Sequence, residues 1–579
     1  MDKLFNTGIL KKDSTSVFLV SIIVIAVIIA YWRVLIQSEL GPIWDTFDFL
    51  SNAMYFAGQG FGYVDYTRPP FFSFITSLVF RLGFISELTI YAVDAVFFVF
   101  GVVGLYLFFK LRFSSFQSFF ACLIFVTFPI VVSYTSMGLS DIPALSLSIW
   151  ALYFTVLAIK RNSKFFYLSF PFFMLAFLTR YPSALIVFPM IFYILINKKE
   201  VNYKNLLLGV LLAILVLVPV LILFFDKFGN PIYPFVAFFG FTQNSLLPGS
   251  LLQVQPQYNA NIPVYVMGEV VNSPENPFYS NDLFYYLKKF PFYVGASSFS
   301  MLIISLMGIF IYGVIKIKKK SIKTISLAKN KFKAFLFIIP LIIFLVTFGN
   351  INYLITEILF IILAFTSYMF LKKHNFQNLD VDFLFMIWLM SFFIFNSVYV
   401  IKDNRYFLMM APAVAYFLTV GFFLVVERFK WKYKNVNLVK IGLSSFLIIM
   451  ILFSTTSYLL NMYDDRSGDR TTNDYTLAAS NWFKEYEPEY KNKIIYADYW
   501  PYFSWYLKTE IVAMPVIKDG RLYYYRLNNY KIDNNSNIQY NEMLNENNVD
   551  YYFSDKKGLN LTSYKPINQF GIITIYQRI

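Results

Sequence analysis

The chain reads as a polytopic α-helical membrane protein carrying a small C-terminal α/β domain, and three observations predict that fold class. Over 579 residues it is 58% hydrophobic and only 14% charged, whereas soluble domains run to roughly a quarter charged. Apolar stretches of bilayer-crossing length recur along it. From Asp464 onward the charged fraction rises and the apolar runs shorten to strand length.

Taken in order, the apolar stretches lie at about 15–37, 87–109, 114–134, 140–159, 165–179, 182–197, 205–225, 298–315, 334–348, 352–371, 383–400, 406–426 and 438–460. That makes about thirteen spans of roughly 20 residues. The first lacks a small-residue cleavage site after a short apolar core, and so reads as a retained signal-anchor. The net charge of +15 invites a nucleic-acid reading until the positions are considered. Lys and Arg fall in short clusters between spans, among them Lys110/Arg112, Lys160/Arg161/Lys164, Lys198/Lys199/Lys204, Lys316/Lys318/Lys319/Lys320 and Arg428/Lys430/Lys432/Lys434. Such clusters mark cytoplasmic loops, not a nucleic-acid face. With the N-terminus cytoplasmic, an odd number of spans carries the tail outside a multi-pass plasma-membrane protein. The expected division is therefore a membrane domain over 1–463 and an extracytoplasmic α/β domain over 464–579. Two long outer loops, 38–86 and 226–297, belong to the first. Within the former, 71–85 is about fifteen residues long and interrupted by Arg81, and reads as an interfacial helix.

In the tail, strand-length runs at 494–497, 511–514 and 572–575 surround a helical pattern at 474–487, with Asn473 or Asp474 as its N-cap. Helix alternating with short buried strand predicts a small α/β fold. The single cysteine, Cys122, excludes a disulfide within the chain, and the single histidine sits in Lys372-Lys373-His374. Zinc chemistry built on His or Cys is thereby excluded.

The chemistry-bearing stretch is 41–70, GPIWDTFDFLSNAMYFAGQGFGYVDYTRPP, directly after the first span. Carboxylates beside a bilayer are costly to desolvate, and a bare anchor has no need of Asp45, Asp48 and Asp65. Asp45 and Asp48 are three apart, so one helical turn puts both on one face. Asp141 opens a later span in Ser140-Asp141-Ile142-Pro143, where it could equally be a helix cap. Arg68, Arg180 and Arg405 are outer-side arginines, and a guanidinium is the natural partner of a phosphate, with interfacial snorkelling the alternative. Acid and guanidinium together at a lipid–water boundary suit chemistry on a phosphate carried by a lipid. No P-loop, dinucleotide fingerprint or H-E-x-x-H is present, and Gly58-x-Gly60-x-Gly62 is read as a flexible loop.

Three places carry a resemblance to a known superfamily. They are Trp44-Asp45…Phe49…Ala53 followed by Tyr66-Thr67-Arg68-Pro69-Pro70, the turn Ser140-Asp141-Ile142-Pro143, and Asn404-Arg405-Tyr406-Phe407 with Pro412. Together they resemble the GT-C membrane glycosyltransferases, such as the dolichyl-phosphate-mannose protein mannosyltransferases and the aminoarabinose transferases. The resemblance implies a GT-C-like membrane fold. It also implies inverting transfer of a sugar from a polyprenyl (dolichyl) phosphate to a protein, glycan or lipid acceptor on the outer face. Asp45 would be the base, and the family's usual Asp-Glu is here Asp45-Thr46, leaving Asp48 as a substitute second acid. Arg68, Arg180, Arg405, Tyr406 and Asp141 would bind donor and phosphate, with Asp45 and Asp141 the residues to consider for a Mg²⁺ or Mn²⁺ ion. No Trp-Trp-Asp-Tyr-Gly motif occurs, which favours single-sugar over oligosaccharide transfer. The competing class is a transporter or flippase of lipid-linked sugars. Transporters place ionisable groups near the midplane and show repeated halves; here the acids gather at one mouth and no repeat is visible.

Overall fold

The computed structural model describes residues 8–238, 280–303, 338–372, 378–399, 401–427, 432–433, 436–465, 467–518, 521–523 and 530–579. Parts of the stretches read at 298–315 and 334–348, most of the loop 226–297, and the basic clusters at 316–320 and 428–431 lie outside these residues. The helices are α1 (Gly8–Leu40), α2 (Trp44–Phe56), α3 (Phe71–Arg81), α4 (Glu87–Phe109), α5 (Ser115–Val126), α6 (Pro129–Tyr134), α7 (Asp141–Lys160), α8 (Phe166–Thr179), α9 (Val187–Ile196) and α10 (Tyr203–Phe228). They continue as α11 (Tyr353–Lys372), α12 (Leu379–Val398), α13 (Ala411–Val426), α14 (Leu438–Asp465), α15 (Ser467–Tyr486), α16 (Trp500–Leu507) and α17 (Asn534–Glu546). Among the described residues, eight helices are long and apolar enough to cross a membrane, so the chain is a multi-pass membrane protein. Among the described residues, the remaining apolar stretches contribute shorter helices.

The stretch at 114–134 is broken within itself and the pair at 165–179 and 182–197 is separated as read, and the sequence supplies the reason for both. In 114–134, α5 ends at Val126 and α6 begins at Pro129, whose ring cannot donate the amide a continuous helix needs. At 165–197, α8 stops at Thr179 and Arg180 is extended (φ −157°, ψ 118°) before a 3₁₀ segment Tyr181–Ile186 that contains Pro182. At 14 residues α8 rises only ~21 Å, short of a bilayer core of ~30 Å. The break turns Arg180 out of the helical register at the end of the bundle where the other site residues gather. α3 is 11 residues long, buries Phe72 and Phe80, and exposes Phe74 and Leu78, as suits a helix lying on the membrane surface.

The tail contains a five-stranded sheet built from β1 (Ile495–Ala497), β2 (Val512–Ala513), β3 (Tyr551–Ser554), β4 (Tyr564–Phe570) and β5 (Ile573–Arg578). The order is β2-β1-β3-β5-β4, with β1 parallel to β2 and β3, and β5 antiparallel to both β3 and β4. Successive strand residues face opposite sides. Tyr496 and Tyr552 pack with Tyr540, Met543 and Leu544 of α17. Ile495, Ala497, Tyr551 and Phe553 pack with Ala479 and Phe483 of α15 and with Phe503 and Leu507 of α16. The helical pattern expected at 474–487 starts earlier, at Ser467, so neither Asn473 nor Asp474 is its cap. Asn473 instead donates to the Leu40 and Pro42 carbonyls, tying the tail to the exit of α1.

The second face of the sheet belongs to a core that extends past the tail. Phe47, Leu50 and Ala53 of α2, Phe72 of α3, and Ile90 and Tyr91 of α4 share that cluster with α15 and α16. In α2 the spacing 47, 50, 53/54 gives one apolar stripe, while 45, 48 and 52 form a polar one. The stripe packs on α16: Phe47 lies 4.1 Å from Tyr502 between ring centroids, and Trp44 lies edge-on to Trp500 at 4.8 Å. Trp505 also donates to Glu87 at the head of α4 (2.9 Å). The loop 57–62 lies on the tail as well. Gly62 has φ +104°, and a Cβ there would stand 2.8 Å from Cβ of Glu510. Gly62 thus meets a conformational and steric demand. Truncating Phe503, which is fully buried in the shared core, is expected to destabilise the full chain by about 3–5 kcal/mol. Thermal unfolding of Phe503→Ala in detergent checks this, and amide exchange should rise in 44–56 as well as in the tail.

Candidate active site

α2 starts without a side-chain cap at Ile43, so Asp45 in its first turn is not spent on capping. Its carboxylate is held from both sides. Arg68 Nη2 donates to Asp45 Oδ1 at 2.8 Å, and Arg405 Nη1 donates to Asp45 Oδ2 at 2.6 Å. The same Arg68 nitrogen donates to Asp48 Oδ2 at 2.7 Å, and Arg68 Nε faces Asp65 Oδ2 at 3.2 Å. One guanidinium therefore serves three carboxylates. Asn52, one turn beyond Asp48, fixes the third: its amide both donates to the Asp65 carbonyl and accepts the Asp65 N–H. Arg405 is oriented in turn by Asp403, which accepts the Arg405 amide N–H (3.0 Å) and faces its Nε (3.0 Å).

These environments separate the two acids. Burial alone would raise the Asp45 carboxyl, but the Arg68 and Arg405 guanidiniums hold it well below the usual carboxylate range. Burial pushes Asp48 up to about 7, with Asp65 and Asp45 adding to the rise and Arg68 and Tyr63 opposing it. The Asp48 side chain is 3% exposed against 18% for Asp45. Asp45 is the more accessible of the two acids.

The second pair adjoins the first. Asp141 begins α7 behind Ser140, which makes no capping bond, and Asp141 Oδ1 pairs with Arg180 Nη1. Capping therefore does not account for this acid. The Tyr406 ring lies between the two arginines, 5.4 Å from Arg180 Cζ and 5.9 Å from Arg405 Cζ. Arg405 and Asp45 are electrostatic neighbours of Asp141. The structure thus brings Asp45, Asp48, Arg68, Arg405, Tyr406, Arg180 and Asp141 together, and each arginine is ion-paired instead of snorkelling. Asp141 Oδ2 and Arg180 Nε are buried with no hydrogen-bond partner among the described residues.

Several contributors were not singled out in the sequence. Thr46, which stands where a second acid was expected, is fully buried and donates to the Met137 carbonyl (3.1 Å). Asp94 accepts the Gly138 N–H (3.1 Å). These two clamp the turn before Asp141, in which Ser136 and Gly138 have φ of 61° and 74°. A Cβ on Gly138 would meet Thr46 Cγ2 at 2.8 Å. Asp403 was visible as a neighbour of Arg405, but its bond was not; Tyr63 carried no signal at all.

Among the described residues, no three or more His, Cys, Asp or Glu side chains group as a metal site. Asp45 has both oxygens on arginines and Asp141 one. As donors they do not fit a shared divalent cation, which would have to displace guanidinium groups.

Residues 67–223 match the family model for dolichyl-phosphate-mannose-protein mannosyltransferase. The fold is similar to that of ArnT from Cupriavidus metallidurans bound to undecaprenyl phosphate. The identity is 10% and the TM-score 0.57, over 96% of this chain and 98% of that one. The apo ArnT structure gives 10% identity and a TM-score of 0.55, over 97% and 98%. The Archaeoglobus fulgidus oligosaccharyltransferase matches at 13% identity and a TM-score of 0.43, over 91% and 68%. No curated protein matches the sequence. Over nearly its whole length the chain therefore has a fold like that of ArnT.

Removing the shared cation should leave carboxylates facing one another. Arg68→Gln is expected to lower stability by roughly 1–3 kcal/mol, the partial exposure of Arg68 placing it between surface and buried pairs. The carboxyl groups then ionise at a higher pH in the folded state, so the penalty should be larger at about pH 8 than at about pH 5. Thermal unfolding of the full chain in detergent at both values tests it, and an equal penalty at both would contradict the network.

Proposed function

We propose that this multi-pass chain of the GT-C glycosyltransferase superfamily transfers a single sugar, with inversion, from a polyprenyl phosphate donor to an acceptor hydroxyl or amine at the outer face of the membrane. The observation that carries the proposal is Asp45 held between Arg68 and Arg405 at the mouth of the bundle. The undecaprenyl phosphate bound by ArnT supports a polyprenyl phosphate as the carrier. The absence of a Trp-Trp-Asp-Tyr-Gly motif from the sequence supports one sugar over an oligosaccharide.

In this mechanism the acceptor O–H or N–H loses its proton to Asp45 as its lone pair attacks the anomeric carbon. The bond from that carbon to the phosphate oxygen breaks on the opposite face, and the electron pair leaves with the polyprenyl phosphate. The chain's tasks are to accept one proton and to stabilise a growing phosphate charge. Asp45 clamped by two cations is ionised but weakly basic. A donor phosphate offers Arg405 a competing anion with more lone pairs. When Arg405 turns to the phosphate, one Asp45 oxygen is freed and its basicity rises. Base activation then follows donor binding, which protects the site from idle proton uptake. Arg180 and Asp141, each with a buried polar atom lacking a partner among the described residues, are the groups available to the donor's head. Tyr406 between the arginines fixes their separation.

Asp45→Asn keeps shape and hydrogen bonding but removes the base, and should lower turnover by roughly 10²–10⁴-fold while the donor still binds. Asp48→Asn should cost less. Arg405→Lys should weaken donor binding, because a point charge on a flexible stem does not reproduce the planar fork. The assay is transfer of radiolabelled sugar from a polyprenyl phosphate in liposomes. Near-wild-type turnover for Asp45→Asn would overturn its role, and a larger loss at Asp48 would move the base there.

A further inference from the structure

The segment that carries Arg405 has little regular structure of its own to aim it. α12 ends at Val398, and the 3₁₀ turns of Asn404–Met410 begin only one residue before the arginine. An ammonium group fixes the link between them. Lys402 is 4% exposed, and its Nζ donates to the Asn396 and Ser397 carbonyls at 2.7 Å each and to the Tyr399 carbonyl. The first two are among the terminal carbonyls that a helix leaves without partners of its own, where its dipole also favours a cation. An ammonium has three N–H donors, so all are spent on backbone and none is left for a substrate. Lys402 thus folds the chain back over the end of α12. The same helix end reaches past the arginine: Asn396 Nδ2 donates to the Tyr406 carbonyl at 3.1 Å. On another side, Tyr293 donates to Asn404 Oδ1 at 3.0 Å and Tyr286 to the Asp403 carbonyl at 3.2 Å. The Tyr293 ring also stacks on Phe407 at 4.5 Å. Asn396, Tyr286 and Tyr293 are all buried. Both chain neighbours of Arg405 are therefore pinned, while its guanidinium is 22% exposed and held by the Asp45 and Asp403 carboxylates.

We infer that Lys402 and Asn396 are positioning residues for Arg405: they fix its backbone, so that only the side chain moves when the guanidinium passes from Asp45 to a donor phosphate. The inference rests on the reading of Arg405 as the phosphate clamp. A guanidinium that must leave one anion for another needs a mobile stem on a fixed base. If the base were loose, every donor that bound would also have to order it, and ordering one backbone residue costs about tenfold in affinity. Lys402 removes that cost in advance by making the end of α12, a rigid element of the bundle, the platform from which Arg405 extends. Asn396 extends the platform to Tyr406, whose ring lies against the Arg405 and Arg180 guanidiniums. The two residues touch neither the carboxylates nor the place a phosphate would take, and act through Arg405 alone.

The test pairs amide hydrogen exchange with the binding of a sugar-free polyprenyl phosphate to the purified full chain. Lys402→Met keeps a buried stem and removes the donors. Asn396→Leu removes a single bond from the helix end, and carries the test if Lys402→Met does not fold. The Tyr399, Arg405 and Tyr406 amides donate to the Phe395 carbonyl, the Asp403 carboxylate and the Asp403 carbonyl, and their exchange should rise about tenfold or more in either variant. Phosphate binding should weaken about tenfold in Lys402→Met, and by less in Asn396→Leu. In an Arg405→Gln background the same substitutions should weaken it by no more than about twofold further, since no guanidinium is left to aim. Wild-type exchange in a folded Lys402→Met overturns the inference, and so does a tenfold loss that persists in the Arg405→Gln background. If the wild type binds no polyprenyl phosphate, the proposed function falls, while the exchange comparison still decides whether Lys402 fixes the segment.

Discussion

A carboxylate held between two guanidinium groups is the constraint on which the site-bearing half of this protein depends. Asp45 and Arg405 are 360 residues apart in sequence, so their contact requires the segment after α1 and the segment before α13 to meet. Neither ion is tolerable there alone, because an unpaired charge at a partly dry mouth costs several kcal/mol. The pairing also frames the proposed chemistry, in which a carboxylate between two cations is ionised, oriented and inactive until one cation is drawn away. A phosphate-bearing substrate is the agent chemically suited to draw it.

The tail completes this arrangement. It does not rest on the bundle as a separate lid, since its sheet, α15 and α16 share a buried cluster with α2, α3 and the head of α4. α2 thus presents an apolar stripe to the tail and a polar stripe to Arg68. Rotation of this helix about its axis would expose Phe47 and Leu50 while burying Asp45 and Asp48 among rings. The packing of the stripe and the direction of the acids are one constraint.

Much of this was legible in the sequence. Apolar length identified the spanning helices, and Asp45, Asp48 and Asp141 stood out because acids next to spans are expensive. Arg68, Arg180 and Arg405 were suspected for their chemistry, but snorkelling could not be set aside until their carboxylate partners were located. The break at Pro129 was missed because hydropathy continues across it, whereas the one at Arg180 was legible as the gap between two short apolar stretches. Thr46 read as a departure from a two-acid pattern, yet its hydroxyl holds the turn before Asp141 through a contact 91 residues away. Tyr63 and Asp403 act through pairings that no local pattern encodes. The tail's strands at 551–554 and 564–570 escaped notice, as short runs rich in tyrosine and polar residues resemble loop. Asn473 looked like a cap because its tie to Leu40 and Pro42 is tertiary.

The most direct test of the account is the affinity of the full chain for a sugar-free polyprenyl phosphate, compared between wild type and Asp45→Asn. If phosphate and Asp45 compete for Arg405, removing the Asp45 charge should tighten binding by about tenfold, or ~1.4 kcal/mol, in a variant that has lost turnover. Binding that is unchanged or weakened in Asp45→Asn would contradict the claim that the donor's phosphate releases the base.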